Sequence, residues 1–161
     1  MRAAECGNDS RFRQQQELFQ QDLFASVTVS DYLFAKDRIF AALTLDENEL
    51  SLYERVFDAL GPRVTKPDLV IYLQAPTEVL IERLRRRAAD AEGDDVLDPG
   101  DDYLRELNEA YQHFFFHYTA TPLLVVETSQ IDLATSDQAL DDLLRQIKTM
   151  NRGTRYYVPR K

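Results

Sequence analysis

Cysteine is nearly absent: the 161-residue chain has one, Cys6. An internal disulfide is therefore excluded, and a reducing cytoplasm is the expected setting. Positive charge is scarce too. Nineteen Lys and Arg stand against 28 Asp and Glu, for a formal net charge of -9. Long-range electrostatics then oppose nucleic-acid and anionic-membrane binding, although local arginines can still hold a small anion. No apolar run approaches the length of a membrane span. The first ten residues contain no apolar stretch, so they do not read as a signal peptide. Internal repeats and low-complexity linkers are also missing.

What remains is the material of one ordinary globular domain. Residues 1–10 show no periodicity and read as a mobile tail, with the domain spanning 11–161. A helix runs from a cap at Ser10 to about Phe24, with Phe12, Phe19 and Leu23 on one face. The stretch Val27 to Ala42 organises the rest. A β-branched run, Val27-Thr28-Val29, leads through Ser30 to Asp31. An apolar helical run follows, carrying Lys36, Asp37 and Arg38. Asp46 opens a third helix with an acidic first turn, whose face Leu50, Tyr53, Val56, Phe57 and Leu60 is expected to be buried.

Leu69 to Leu73 is apolar throughout, which predicts a strand covered on both faces of a parallel sheet. Ala75-Pro76-Thr77-Glu78 signals a helix start, and that helix carries Arg83, Arg85, Arg86 and Arg87. An acidic, glycine-containing loop from Asp90 to Asp102 precedes a long helix over about Tyr103–Tyr118. Leu123 to Val126 is another apolar strand. Thr135 with Gln138 resembles a capping box for the last helix, through Leu140, Leu143, Leu144 and Ile147. Three apolar strands alternating with helices predict an α/β fold with a parallel sheet and right-handed crossovers.

Several side chains have chemical potential. Arg83 and Arg87 are four apart on one helix face, so both guanidinia can grip one phosphate chain; a solvated basic face is the plainer reading. Asp31, at a strand end, suits a Mg²⁺-bound water or a substrate hydroxyl, or simply a turn. Asp37 and Arg38 lie within an apolar run, where buried charges need partners: each other, or a ligand. Gln14 to Gln16 form either a solvated face or an amide aimed at a nucleobase edge. His113 and His117 have a metal-like spacing, but with no third ligand in view they read as packing.

The ordered set Val-Ser-Asp-Tyr-Leu-Phe-Ala-Lys-Asp-Arg-Ile-Phe-Ala, Pro-Asp-Leu-Val-Ile-Tyr-Leu, Glu-Arg-Leu-Arg-Arg-Arg, Tyr-Leu-Arg-Glu-Leu-Asn-Glu-Ala-Tyr and Arg-Gly-Thr-Arg-Tyr-Tyr-Val-Pro resembles the bacterial deoxynucleoside kinases of the deoxyadenosine/deoxyguanosine group. The likeness covers about Arg11 to Pro159. It implies a P-loop-kinase-like sheet flanked by helices, and ATP- and Mg²⁺-dependent phosphorylation of a deoxynucleoside 5′-hydroxyl. It also implies a homodimer through the long helices.

By that resemblance Gln15 reads the base edge, Asp37 faces the base with Arg38 beside it, and Glu92 holds the sugar 3′-hydroxyl. Asp31 begins the acidic motif, and Arg83 and Arg87 are lid arginines. The C-terminal Arg-Gly-Thr-Arg-Tyr-Tyr segment lies near the adenine of ATP.

The family's Glu-Arg-Ser motif is Asp31-Tyr32-Leu33 here, and Ala88-Ala89 stands where Gly-Arg is common. No Gly-x-x-x-x-Gly-Lys-Ser/Thr occurs in the sequence. The expectation is an incomplete version of the fold, its C-terminal two-thirds, without the P-loop strand and helix and without the general base. A non-catalytic nucleoside-binding or partner subunit is the alternative.

Overall fold

The computed structural model describes residues 27–61, 64–90, 99–131, 133 and 135–159. The chain divides into two compact units between Lys66 and Pro67.

In the first unit, the expected strand at Val27–Val29 does not form; these residues have no regular structure and are exposed. Two things defeat it. A three-residue β-branched run is short and has no ladder partner among the described residues. Ser30 also diverts the backbone: its Oγ accepts from Tyr32 N at 3.1 Å and lies 3.2 Å from Tyr32 O. Such local side-chain bonds compete with ladder pairing. Asp31 therefore sits in a bend, not at a strand end.

A 3₁₀ turn, Phe34–Lys36, runs into helix α1, Asp37–Thr44. Helix α2 spans Glu47–Leu60. Its start is the acidic turn expected, and it is a full capping box. Asp46 Oδ1 accepts from Asn48 N and Glu49 N at 2.9 Å, and Glu49 Oε2 accepts from Asp46 N at 3.2 Å. The expected buried face is only partly covered, however. Leu50, Tyr53, Phe57 and Leu60 are half-buried, Val56 is exposed, and Leu52 beside them is exposed too.

The second unit holds a three-stranded, fully parallel sheet: β1 Val70–Gln74, β2 Leu123–Glu127 and β3 Thr154–Tyr157, in the order β1-β2-β3. Val70 pairs with Leu123, and Leu123 with Thr154. Helices α3 (Thr77–Asp90), α4 (Asp101–Phe116) and α5 (Asp137–Thr149) provide the connections.

The central strand β2 carries the core. Leu123, Leu124 and Val126 are fully buried. On one face Phe115 of α4 stacks on Tyr72 of β1, with ring centroids 4.3 Å apart. On the other, Leu143 of α5 packs with Leu124 and Val126. Continuous hydrophobicity thus means cover on both faces for β2. In β1 it does not: Val70 and Tyr72 are buried, whereas Ile71 is 40% and Leu73 55% exposed. That strand is an edge, and the face it shares with Leu124 and Val126 is open at Ile71 and Leu73.

Both crossovers step the same way across the sheet while α4 and α5 pack on opposite faces. Only one of them can therefore have the expected right-handed sense. Strand β3 was not expected. Gly153, at φ +69°, turns the chain into it, and its carbonyl accepts from Leu123 N at 3.0 Å. The cap of α5 also differs by one residue. Ser136, not Thr135, caps it, its Oγ accepting from Ala139 N at 3.3 Å. Leu140 and Leu144 of that helix are more exposed than expected.

Because all three strands are parallel, their carboxyl ends share one edge. The turns after Gln74, Glu127 and Tyr157 meet there, which is where open α/β sheets place ligands. Among the described residues, no helix is long and apolar enough to cross a membrane.

Candidate functional site

The sequence-expected site residues fall in both units, and each group is described within its own. Gln15 and Glu92 lie outside the described residues.

In the first unit the group centres on Asp37, the first residue of α1. It is only 6% exposed. A carboxylate at a helix N-terminus is favoured by the helix dipole, and Tyr32 Oη donates a hydrogen bond to its Oδ2. Arg38 does not share this burial. It is exposed, and its Nη2 donates to Glu54 Oε1 at 3.2 Å. Both partners are about half exposed, so the pair itself contributes little stability. The guanidinium also lies 5.3 Å from the centroid of Phe57, which stacks on Phe34 at 4.4 Å. Asp37 and Arg38 are thus fixed by different partners, one buried and one at the surface.

Sequence reasoning placed Tyr53 in a core face and missed its polar end. Its Oη is buried and has no hydrogen-bond partner among the described residues. Burial, reinforced by the charge of Asp37 and opposed by Arg38, pushes the phenol up to about 12. Tyr72 in the other unit is raised to about 12 as well, by burial and then by Tyr111 and Glu127. A phenol that holds its proton more tightly in the folded chain than in the unfolded one, near 10, stabilises fully below pH 10. That contribution is lost as pH rises toward 12. The last part of the tyrosinate absorbance, that of Tyr53 and Tyr72, is expected to appear late and together with unfolding; early, reversible ionisation of all eight tyrosines near pH 10 would contradict it.

In the second unit the group sits on the sheet's carboxyl edge. Arg83 of α3 is half-buried. Its Nη1 donates to Thr128 Oγ1 at 3.1 Å, and its Nη2 donates to Thr128 O and, at 3.4 Å, to Ile131 O. Thr128 follows β2 and is itself bonded to Gln74 O at the end of β1. Arg87, one turn on, is exposed and has no ion-pair partner among the described residues. Arg85 is occupied by Asp101, both of whose carboxylate oxygens accept from its Nη2, at 2.8 and 3.0 Å.

Buried Asn108 of α4 holds the β1–α3 corner in place, donating to Ala75 O at 3.3 Å and Thr77 Oγ1 at 3.0 Å. Neither Asn108, although it lies within the Tyr-Leu-Arg-Glu-Leu-Asn-Glu-Ala-Tyr motif, nor Thr128 stands out in the sequence as a site residue by charge or periodicity.

The turn whose Ile131 carbonyl accepts from Arg83 also borders an open cavity of about 220 Å³, lined by Glu127, Ser129, Gln130, Ile131, Val158 and Pro159. Glu127 Oε1 accepts from Ser129 N at 2.8 Å, which folds the acid back on its own turn. The lining mixes amide, hydroxyl and carboxylate groups with apolar surface, a combination suited to a flat heterocycle. His113 and His117 lie elsewhere, at the end of α4, with rings 4.6 Å apart and His117 Nδ1 3.0 Å from the His113 carbonyl. Among the described residues, no group of three or more His, Cys, Asp or Glu is placed to hold a metal.

The family model for deoxynucleoside kinase matches residues 7–152. A deoxyadenosine kinase of Dictyostelium discoideum is 33% identical over 111 residues, covering 66% of this chain and 42% of that protein. A deoxyadenosine kinase of Lactobacillus acidophilus is 24% identical over 130 residues, covering 74% of this chain and 60% of the relative. A deoxyadenosine/deoxycytidine kinase of Bacillus subtilis is 24% identical over 148 residues, covering 87% and 65%. The chain thus spans less than two thirds of the length of these relatives. With an α/β parallel-sheet fold and a match over most of its residues, the chain belongs to the deoxynucleoside kinase family.

Proposed function

We propose that this chain recognises a purine deoxynucleoside as part of a deoxynucleoside kinase, whose reaction phosphorylates the 5′-hydroxyl at the expense of ATP. The observation that carries this reading is the family match over residues 7–152, within which the buried acid Asp37 is followed by Arg38. The names of the relatives, deoxyadenosine kinase among them, support a purine substrate.

Each residue has a role in that reading. Asp37, buried at the start of α1, accepts from an exocyclic amine of the base. Gln15 supplies a donor and an acceptor to the same edge, as amides do for adenine. Arg38 keeps a positive charge beside Asp37, and Glu92 accepts from the sugar 3′-hydroxyl. Asp31 orients the 5′-hydroxyl or a Mg²⁺-bound water. Arg83 and Arg87 lie against transferring phosphoryl oxygens and offset their charge.

The cavity at Glu127–Ile131, with Val158 and Pro159 on its rim, fits the adenine of ATP. When bound, ATP with Mg²⁺ supplies the phosphoryl group. Mg²⁺ commonly takes only one or two protein carboxylates besides phosphates and waters, so a lone acid such as Asp31 is enough on the protein side. Lacking a Gly-x-x-x-x-Gly-Lys-Ser/Thr motif, the chain also suits a second reading: binding a nucleoside without turning it over.

Calorimetric titration of the chain with deoxyadenosine and deoxyguanosine tests both readings. Saturable binding of at least one is expected; no heat from either at high concentration rejects both. We also propose a homodimer. Leu52 and Val56, one turn apart on α2, are exposed and supply an apolar stripe for a second copy. Sedimentation equilibrium should then give twice the chain mass of 18.7 kDa; a monomer at all concentrations excludes it.

A further inference from the structure

Thr128 has a hydrogen-bond arrangement with only one self-consistent polarity. Its N–H donates to Gln74 O at 2.8 Å, and its hydroxyl donates to the same carbonyl at 3.0 Å. The hydroxyl has a single proton, and that proton is used. Its lone pairs are what face Arg83, whose Nη1 lies 3.1 Å away and can only donate. The Thr128 carbonyl and the Ile131 carbonyl take Nη2. The end of β1 thus orients a hydroxyl at the end of β2, and that hydroxyl orients a guanidinium on α3. Thr128 is 6% exposed, so water competes little for these bonds.

The charge on Arg83 is equally telling. Arg38, Arg85, Arg105 and Arg145 each pair with a carboxylate. Arg83 is half-buried, and all three of its acceptors are neutral oxygens. Among the described residues no carboxylate neutralises it. Three of its five N–H donors are used, which leaves two for a ligand. A partly desolvated cation with spare donors is matched by an anion with several oxygens. Ile131, whose carbonyl is the third acceptor, also lines the 220 Å³ cavity. The cation and the cavity therefore share one turn of chain.

We propose that Thr128 is a positioning residue for Arg83. It holds the guanidinium where it meets the phosphates of a nucleotide whose base occupies the Glu127–Ile131 cavity. This rests on the nucleotide-site reading of that cavity and adds a residue to it. Replacing the hydroxyl by a methyl in Thr128→Val removes the acceptor for Nη1 and places an apolar group against the charge. Thr128→Ser restores the acceptor.

The test is a ladder of affinities for adenosine, ADP and ATP, measured on wild type, T128S and T128V. Wild type and T128S should bind more tightly with each added phosphate. T128V should bind adenosine as wild type does and lose about tenfold of its ATP affinity. A purely structural Thr128 would weaken adenosine and ATP alike, leaving their ratio unchanged, and that result overturns the proposal.

Wild type binding adenosine with no gain from phosphates also overturns it while leaving base recognition intact. Wild type binding neither ligand removes the nucleotide-site reading and this proposal together. Should T128V fail to fold, the wild-type side chain still decides. Held at Thr128, the Arg83 guanidinium should give separate ηNH resonances from slowed rotation. A single averaged signal would mean that it is not held.

Discussion

Incubated with ATP, Mg²⁺ and deoxyadenosine, the 161-residue chain is expected to form no phosphorylated nucleoside above background. Phosphoryl transfer asks a protein for position and charge compensation far more than for covalent chemistry. In this enzyme class both come largely from a glycine-rich loop whose backbone amides and lysine cradle the phosphates. The sequence contains no such motif. Arg83 and Arg87 alone cannot replace it. Removing a single well-placed donor from an oxyanion site costs about 10²–10³ in rate, and a whole cradle contains several. Chromatographic assay of the monophosphate product decides the point. Turnover that follows the protein through purification and disappears in Arg83→Ala would overturn the expectation.

Asp37→Asn should weaken deoxynucleoside binding by about 10- to 100-fold, the loss expected when a charge-assisted hydrogen bond becomes a neutral one. The substitution keeps size and leaves an amide oxygen to accept from Tyr32 Oη, so the first unit should stay folded. Tyr32→Phe separates the two functions of the acid. It removes a donor to buried Asp37 and should cost about 1–3 kcal/mol of stability, while the Asp37 side chain stays in place for the ligand. Calorimetry and thermal melts on the two variants should therefore move in opposite proportion. A D37N variant that binds as tightly as wild type would remove Asp37 from the site.

Strand β2, helices α2 to α5 and the parallel sheet were legible because their signals are local. Leu123 to Val126 is apolar at every position and is the one strand covered on both sides. The capping box at Asp46 and the proline-led start of α3 are likewise written within a few residues. What was not legible depended on distant partners. Val27-Thr28-Val29 has strand propensity but joins no sheet among the described residues, and Ser30 offers its backbone another arrangement.

Thr154 to Tyr157 reads as a polar-aromatic tail until β2 is beside it. Leu73 looks like core, yet it belongs to an edge strand whose outer face is open. Among candidate site residues, the sequence singled out Asp37 by its charge within an apolar run, and Arg83 by its spacing from Arg87 and by the family resemblance. It could not show that Tyr32 holds one and Thr128 the other, because hydroxyls of this kind are common and become informative only when a partner lies 3 Å away.

The central claim is that the residues assigned to nucleoside recognition converge on one ligand. Isotope-labelled chain titrated with deoxyadenosine measures this directly. The account predicts that signals of Gln15, Asp37 and Arg38 shift together along a single saturation curve. Shifts that are scattered, follow different curves or leave these three residues untouched would contradict it.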